Sequence, residues 1–502
     1  MNTQCEHLAE PLLRTAARWP DRQALWWNGR TITYGELDAS VEAIRGNLIR
    51  AGVSPGAPVG ILGLKSPGLV AAIQAVLRQD AVYVPLDARL PSARIAAMVA
   101  ACGIQTVVME ESGRRHESAL RDAAVKSLVS TETAGVSPSR SASALNARRD
   151  DLAYVLHTSG STGAPKGVMI THGNALAFVE WAVEHFRFER DDRLLCHAPL
   201  TFDLPVFDLY ATFLLGACAV LVADTAALFP SEAVRVLREG SATSLFMVPS
   251  AIMGMMSRGG LMSKPPGSLR RLMYSGEPFP VPRLREFLEW CRGDIHVANL
   301  YGPIETNACT YFDVKSLDST ASAVPIGYPI ANTEIRLIGG ETELDGEVVV
   351  AGPTVAMGYW RQPELTAERW VERDGKRWYR TGDLARRDQG GRLWYAGRRD
   401  FMVKSRGFRI ELEEVEAAIG RCPGVSEAIV VALPHEELGN VLYAWVTPGA
   451  VAESDVKSAL KNVLPSYMVP QRVFSRQDLP RTQSGKLDRG ALMRAAGEAV
   501  LE

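Results

Sequence analysis

The residues best suited to chemistry form a glycine-rich loop, TSGSTGAPKG, which follows an apolar β-type run. Glycines allow a backbone to approach a polyanion closely, and successive backbone N–H groups can then line that polyanion. Hydroxyl groups add hydrogen-bond donors, and a lysine adds positive charge. The combination predicts a triphosphate site. The residues expected to line it are Thr158, Ser159, Gly160, Ser161, Thr162, Gly163 and Lys166.

The loop differs from a Walker A motif, which has a second glycine before its lysine and a Ser or Thr after it. Counting from Gly160, Pro165 occupies the position of that second glycine, and Gly167 follows Lys166. We therefore do not expect a P-loop kinase or GTPase. For this segment alone, the alternative is a flexible Gly/Ser loop without a ligand.

The loop resembles the signature of the AMP-forming adenylating superfamily, which contains peptide-synthetase adenylation domains, acyl-CoA synthetases and luciferases. Further segments across essentially the whole chain resemble the ordered motifs of adenylation domains. They are Thr33–Leu37, Tyr83–Asp87, Phe202-Asp203, Tyr301–Thr306, Gly352–Trp360, Tyr379–Leu384, Gly397–Asp400, Lys404–Arg409 and Pro480–Lys486. The resemblance implies that a carboxylate is joined to the α-phosphate of ATP, that pyrophosphate leaves, and that the acyl group then passes to a thiol.

The resemblance also implies roles for single residues. Lys486 would bridge the substrate carboxylate and the adenylate, and Lys404 would enter the site in the second half-reaction. Glu305 would help to hold Mg²⁺, a hard cation that prefers oxygen ligands. Asp383 and Arg398 would bind the ribose, because a carboxylate can accept both ribose hydroxyls. The other nucleotide-binding positions are Tyr301 on the adenine ring, Asn299 at the base edge, Gly302 and Thr306.

Asp203 distinguishes the classes of acid that the resemblance allows. In relatives that activate α-amino acids, an Asp at this position pairs with the substrate ammonium, which needs such a partner once desolvated. The alternative is a helix N-cap at the start of an apolar run. The other pocket positions carried over are Leu204, Phe207, Phe246, Met273, Ser275, Leu300, Ala308 and Cys309.

This uncharged pocket lining favours a small or medium neutral amino acid. The set resembles the L-prolyl-carrier-protein ligases, so L-proline is the leading candidate and β-amino acids are an alternative. No carrier-type serine motif follows Lys486, so we expect a separate carrier protein to supply the thiol, with free CoA as the alternative. The resemblance implies natural-product or antibiotic biosynthesis, and an MbtH-like helper is a possible further partner. Rival hypotheses are an acyl- or aryl-CoA ligase and a non-catalytic binding protein.

The elements that must position these residues alternate between strand and helix patterns. Val59–Leu64 and Ala81–Leu86 are strand-like, and Gly68–Leu77 between them has helical spacing. This order predicts an α/β fold with largely parallel sheets. Short strands follow over 341–398, and a compact α+β pattern begins at residue 401. We expect a large N-terminal adenylation domain over 1–398 and a small C-terminal domain over 399–502, and the resemblance implies a hinge at Asp400.

Composition excludes several classes of protein. The 502 residues carry 55 basic and 57 acidic side chains, and this balance, without a basic patch, disfavours nucleic-acid binding. The seven cysteines form no C-x-x-C pair and the histidines show no metal-ligand spacing. The N-terminal residues lack a secretory pattern, and the apolar run Leu209–Ala223 is shorter than the ~20 residues that span a bilayer. We therefore expect a cytoplasmic enzyme without a membrane partner.

Overall fold

The computed structural model describes residues 5–132, 145–159, 165–315, 317, 321–342, 344–435, 437–481 and 487–501. Its α-helices are α1 (Glu10–Arg18), α2 (Tyr34–Arg50), α3 (Pro67–Arg78), α4 (Ser92–Cys102), α5 (Glu117–Asp122), α6 (His172–His185), α7 (Leu204–Leu215), α8 (Pro230–Glu239), α9 (Pro249–Ser257), α10 (Val281–Cys291), α11 (Pro363–Arg369), α12 (Leu412–Ile419), α13 (Glu453–Lys461) and α14 (Arg489–Leu501). Within these ranges, no helix has the length and apolar character needed to cross a membrane.

The first fifteen strands are β1 (Gln23–Trp27), β2 (Arg30–Thr33), β3 (Pro58–Gly63), β4 (Val82–Asp87), β5 (Thr106–Met109), β6 (Ser127–Ser130), β7 (Leu152–Thr158), β8 (Lys166–Thr171), β9 (Arg193–Cys196), β10 (Cys218–Leu221), β11 (Ser244–Met247), β12 (Arg271–Tyr274), β13 (His296–Tyr301), β14 (Thr310–Asp313) and β15 (Tyr328–Pro329). They are followed by β16 (Glu334–Gly339), β17 (Asp345–Ala351), β18 (Gly358–Tyr359), β19 (Trp370–Arg373), β20 (Lys376–Arg387), β21 (Leu393–Arg398), β22 (Met402–Ser405), β23 (Phe408–Glu411), β24 (Glu427–His435), β25 (Gly439–Thr447) and β26 (Arg472–Ser475).

The described residues form two compact units. One contains the chain up to Ala88 together with Val99–Leu156 and Gly167–Arg399. The other contains Arg89–Met98, His157–Lys166 and the chain from Asp400 onward. The functional division into 1–398 and 399–502, with a hinge at Asp400, stays a prediction.

Two large sheets dominate the first unit. The nine-stranded sheet has the order β15-β14-β13-β12-β11-β9-β10-β1-β2, and β1, β10, β9, β11, β12 and β13 run parallel. The seven-stranded sheet has the order β18-β8-β7-β4-β3-β5-β6. Its strands β7, β4, β3, β5 and β6 are parallel as well. A third sheet, built from β16, β17, β19, β20 and β21, is antiparallel. The predicted α/β fold with mixed and parallel sheets is therefore confirmed.

Side chains of the nine-stranded sheet alternate between two apolar clusters. Phe246 and Met273 point into a cluster that also contains α2, α3, α6 and α7 residues. Their neighbours Leu245 and Leu272 point into a second cluster, which contains residues of α8, α9 and α10. This is the alternation expected along a strand that is buried on both faces. Both faces of the sheet are therefore covered.

Local sequence signals explain several element boundaries. The hydroxyl of Thr33 accepts the N–H of Glu36, whose carboxylate accepts the N–H of Thr33, so a capping box begins α2. The apolar run Leu209–Ala223 divides at Gly216, whose φ of 71° ends α7 before β10 begins. The run is thus two buried core elements, as its length predicted.

The second unit contains two small sheets. Strands β22 and β23 form a hairpin, and β24, β25 and β26 form a three-stranded sheet. Their apolar cluster includes Ile410, Val415, Val430 and Leu460, which lie on strands and on α12 and α13. This α+β arrangement is the pattern that the sequence predicts after residue 401.

Candidate active site

The ends of the glycine-rich loop lie on two neighbouring strands of one sheet. Thr158 is the last residue of β7, Ser159 follows it, and Lys166 begins β8. All three are buried, and Lys166 is only 8% exposed. Gly160, Ser161, Thr162 and Gly163 lie outside the described residues. The carboxyl ends of parallel strands are where ligand sites of α/β folds occur, and β7 ends there.

A buried hydrogen-bonded group joins Tyr301, Asp383 and Arg398, and we name these three residues the carboxylate cluster. The Tyr301 hydroxyl donates to Asp383 Oδ2 at 2.6 Å, and Arg398 Nη1 donates to Asp383 Oδ1. Burial, followed by the nearby Asp383 carboxylate, raises the pKa of Tyr301 well above its ordinary value. Tyr301 therefore keeps its proton and acts as a donor.

Backbone register assembles the carboxylate cluster. Strands β20 and β21 are antiparallel, and Asp383 is paired directly with Arg398. A bulge at Leu384/Ala385 lies next to this pair. Tyr301 comes from the end of β13 in the nine-stranded sheet. The two predicted ribose-binding residues are thus held together, with the predicted adenine-packing tyrosine on the same carboxylate.

Asn299, expected at the base edge, is buried on β13, and its side-chain amide donates to the carbonyl of Pro325 at 2.8 Å. Gly302 follows this strand, and a Cβ built on it would lie 1.6 Å from the carbonyl oxygen of Asn307. Only glycine fits this close approach. Thr306 is fully buried, and its hydroxyl lies 3.2 Å from the carbonyl of Pro303.

Glu305 lies in a short 3₁₀ turn, Ile304–Thr306, and is 1% exposed. Its Oε1 accepts a hydrogen bond of 2.8 Å from the hydroxyl of Tyr359 on β18. Strand β18 pairs with β8, where Tyr359 faces Val168, two residues after Lys166. Tyr359 therefore connects the acidic residue to the strand that leaves the glycine-rich loop. Sequence reasoning placed Tyr359 inside a motif but gave it no role.

The donor set around Glu305 suits magnesium. Among the described residues, no group of three or more His, Cys, Asp or Glu side chains could hold a metal by itself. A single buried carboxylate that shares the ion with substrate phosphates is the arrangement that Mg²⁺ favours, because this ion keeps few protein ligands. The residues present therefore fit the cation that the sequence predicts at Glu305.

The predicted pocket side chains meet on one face of the nine-stranded sheet. Phe178 of α6, Phe207 of α7 and Phe246 of β11 lie with ring centroids 5.8–6.2 Å apart, and we name them the aromatic cluster. Met273 neighbours Phe246 in the strand register. Leu204, Leu300 and Ala308 belong to the same buried cluster. Phe178 is the member that sequence reasoning missed.

Asp203 stands at the N-cap position of α7, yet its side chain makes no capping hydrogen bond. Capping alone therefore does not account for this acidic residue. The helix that follows it is apolar and carries Leu204 and Phe207 of the predicted pocket.

Ser275 and Cys309 complete the predicted pocket residues. Ser275 follows β12, is buried, and donates its backbone N–H to Met247 at 3.2 Å. Cys309 packs in a separate apolar cluster with Tyr301 and Ile326. Burial raises the pKa of the Cys309 thiol to about 12, so it stays protonated.

The second unit carries the remaining predicted residues. Lys404 lies on β22 and faces Arg409 on β23. The hairpin turns at Arg406 and Gly407, whose φ values of 53° and 81° are those of a tight turn with both central residues left-handed. Asp400 Oδ1 accepts the N–H of Met402 at 3.4 Å. Lys486 lies outside the described residues.

Comparisons with known proteins identify the family of this chain. The model of the AMP-binding enzyme family matches residues 12–360, and that of the AMP-binding enzyme C-terminal domain matches 414–486. An L-proline–[L-prolyl-carrier protein] ligase of Pseudomonas fluorescens is 38% identical, over 97% of this chain and 99% of that one. A protein of the same name from Streptomyces coelicolor is 35% identical, over 91% of each chain.

Solved structures agree as well. An artificially fused adenylation–PCP di-domain NRPS from Klebsiella oxytoca matches with a TM-score of 0.82 and 26% identity, over 95% of each chain. The glycine-rich loop, the order of motifs along the chain and these matches over nearly the full length lead to one conclusion. The chain belongs to the AMP-binding enzyme family.

Proposed function

We propose that this enzyme activates a neutral amino acid with ATP and transfers it to the phosphopantetheine thiol of a separate carrier protein. The observation that carries the proposal is the position of Asp203, an acidic residue at the start of the helix that brings Phe207 to the aromatic cluster. Such an acid suits a substrate ammonium, and an apolar lining suits a neutral side chain. L-Proline is the first substrate to test, since two relatives that match nearly the full chain are named L-proline–[L-prolyl-carrier protein] ligases.

In the first half-reaction, an oxygen of the amino-acid carboxylate attacks the α-phosphorus of ATP. The bond from that phosphorus to the oxygen bridging to the β-phosphorus breaks, and pyrophosphate leaves. A carboxylate is a weak nucleophile that must approach a polyanion, so alignment and neutralisation matter more than a strong base. Lys166 and Lys486 are the cations we propose for this task, Lys486 beside the reacting carboxylate.

The carboxylate cluster would orient the nucleotide. Asp383 already accepts bonds from Tyr301 and Arg398, and its remaining lone pairs can accept the ribose hydroxyls. Glu305 would hold Mg²⁺ together with the phosphates, and the bound cation would neutralise phosphate charge. The fixed bond from Tyr359 would keep the Glu305 carboxylate in one orientation.

In the second half-reaction, the carrier thiol loses its proton and its sulfur attacks the acyl carbon. The carbon–oxygen bond to AMP breaks, and AMP leaves. We propose that Lys404, on the β22–β23 hairpin, enters the site for this step. Asp400 would be the hinge at which the C-terminal domain rotates. We extend the proposal to natural-product biosynthesis in the cytoplasm, where the buried free thiols of all seven cysteines suit reducing conditions.

Amino-acid-dependent ATP–pyrophosphate exchange tests the first half-reaction. The panel contains proline, alanine, valine, several β-amino acids, benzoate and a fatty acid. We expect exchange with a neutral amino acid, proline first, and its loss in Lys486→Ala. Lys461→Ala, an exposed lysine at the end of α13, is the matched control and should retain exchange.

The second half-reaction needs a separate readout. Loading of a phosphopantetheinylated carrier protein, followed by mass, should fall in Lys404→Ala while pyrophosphate exchange is retained. Transfer to free CoA instead of the carrier would contradict the proposed acceptor. Exchange with benzoate or the fatty acid alone would contradict the role of Asp203 and indicate an acyl- or aryl-CoA ligase. Addition of an MbtH-like protein to each assay tests whether a helper raises the rate.

A further inference from the structure

A buried lysine lies outside every motif considered above. Lys65 follows β3, and its side chain is fully buried. Its ammonium donates to the carbonyl oxygens of His197 at 2.7 Å and Ala198 at 2.6 Å. Asp224 Oδ1 lies 3.7 Å from the same nitrogen, and Asp224 Oδ2 accepts the backbone N–H of Lys65 at 2.7 Å. The ammonium therefore has two carbonyl acceptors and one carboxylate oxygen at ion-pair distance.

These contacts join the carboxyl ends of three parallel strands. Lys65 follows β3 of the seven-stranded sheet, whereas His197 and Asp224 follow β9 and β10 of the nine-stranded sheet. Ligand sites of α/β folds lie at this end of the strands. The lysine thus links the two sheets at the edge where the substrates are proposed to bind.

The two carbonyls that Lys65 holds belong to the segment that leads to Asp203. After Ala198 the chain turns, with the N–H of Phe202 donating to Pro199 at 3.0 Å, and α7 begins after Asp203. A cavity of about 10 Å³, close to the smallest that holds one water molecule, lies against Pro199–Thr201 and is also lined by Lys65 and Asp224. Apolar packing alone therefore does not fix this segment.

Asp224 is the acidic side chain paired with Lys65. The other buried acid in the region, Asp208 on α7, has an Oδ2 atom without a hydrogen-bond partner among the described residues. Burial raises the pKa of Asp208 well above its ordinary value, although the charge of Lys65 acts in the opposite direction. Burial therefore disfavours the charged form of Asp208, and Asp224 is the acidic side chain that lies within ion-pair distance of the Lys65 ammonium.

We propose that Lys65 is a positioning residue for recognition of the substrate amino group. By holding the carbonyls of His197 and Ala198 against the end of β3, it fixes the segment that presents Asp203. The proposal rests on the proposed function, because it takes Asp203 as the partner of the ammonium. The proposal does not place Lys65 in contact with the substrate.

The kinetic test compares an amino acid with the same acid lacking its amino group. For proline the matched acid is cyclopentanecarboxylate, and the readout is pyrophosphate exchange. In Lys65→Met we expect KM for proline to rise about tenfold and the preference for proline over cyclopentanecarboxylate to fall about tenfold. KM for ATP should stay within about twofold, because the nucleotide contacts are unchanged.

Arg78→Met is the matched control. Arg78 of α3 is also a buried cation, paired with Asp38 and Glu42 of α2. Its loss should lower the melting temperature as the loss of Lys65 does, yet leave the preference for proline intact. Lys65→Arg keeps the charge and donors, so it should recover part of the preference. An unchanged preference in Lys65→Met, or an equal loss in Arg78→Met, would overturn the proposal.

Hydrogen–deuterium exchange measures positioning without catalysis. Amides of residues 197–203 should exchange about tenfold faster in Lys65→Met and in the isosteric Asp224→Asn than in wild type. In Arg78→Met the faster exchange should lie in α2 and α3. Unchanged exchange over 197–203 would overturn the positioning role. Wild-type protein that activates no amino acid would instead refute the proposed function itself, so the two failures are distinguishable.

Discussion

The carboxylate cluster and the aromatic cluster are held together by different forces. In the carboxylate cluster both oxygens of Asp383 have donors, and the geometry follows from strand register. In the aromatic cluster three rings pack edge to face or tilted, with no polar atom to satisfy. Directional bonds between buried charged groups tolerate little change, whereas apolar packing tolerates swaps that conserve volume. The proposed nucleotide end is therefore constrained, whereas the proposed acid end can be altered.

Removal of the central carboxylate tests the constrained end. Asp383→Ala removes the carboxylate that accepts from Tyr301 and Arg398 and is the proposed ribose acceptor. Two hydrogen bonds from the ribose hydroxyls to a charged carboxylate would together contribute about 4 kcal/mol, so we expect kcat/KM for ATP to fall about 1000-fold in pyrophosphate exchange. Asp388→Ala, which removes an acid paired with Arg392 at the turn of the same hairpin, is the control. A loss below tenfold would show that the carboxylate cluster does not hold the nucleotide.

Asp203 is the charged residue at the acid end, and Asp203→Asn removes its charge with little change of shape. We expect KM for the amino acid to rise about 100-fold, because a charged partner of a desolvated ammonium contributes about 3 kcal/mol. Asp208→Asn is the control. Burial raises the pKa of Asp208 and so disfavours its charged form, and Asp208 is not among the predicted pocket residues, so this substitution should leave KM nearly unchanged. Equal effects of the two variants would contradict the assignment.

Tyr301→Phe removes one donor from the carboxylate cluster. A hydrogen bond to a charged group contributes about 1.5 kcal/mol, so KM for ATP should rise about tenfold. Tyr274→Phe on the adjacent strand β12 is the control, because the Tyr274 hydroxyl is buried without a hydrogen-bond partner among the described residues. That variant should retain activity and gain slightly in thermal stability. An unchanged KM in Tyr301→Phe would mean that packing alone orients the adenine.

Met273→Leu tests the tolerance of the apolar end. The swap conserves volume, so the free energy of unfolding should change by less than about 1.5 kcal/mol. We expect relative rates for proline, alanine and valine to change by about threefold or less. Leu272→Met, one residue away on the opposite face of β12, should leave these ratios unchanged. A ratio that moves as much in Leu272→Met would show that the two faces are not independent.

The sequence predicted the fold class because strand and helix patterns alternate locally. Val59–Leu64 became β3, and Gly68–Leu77 lies in α3, each within a few residues of its predicted bounds. The motif resemblance identified the family, which the comparisons confirm. Strand patterns, helix patterns and motifs each depend on a short stretch of chain. They can therefore be identified without knowledge of the tertiary contacts.

Contacts between distant residues could not be predicted in this way. The bond from Tyr359 to Glu305 spans 54 positions, and that from Lys65 to His197 spans 132. Lys65 has neither a motif nor a periodic pattern around it, and an isolated lysine is usually a solvated surface residue. Only the meeting of β3, β9 and β10 at one edge reveals its partners.

The alternation along the nine-stranded sheet has a consequence for how such an enzyme changes over generations. Phe246, Met273 and Leu300 belong to the apolar cluster in which we propose that the acid binds, while Leu245, Leu272 and Val297 belong to the second cluster with α8, α9 and α10. Selection for a new substrate can therefore act on every second position while the intervening positions preserve foldability. A library that randomises only the first three positions should yield more folded clones than one that randomises the second three.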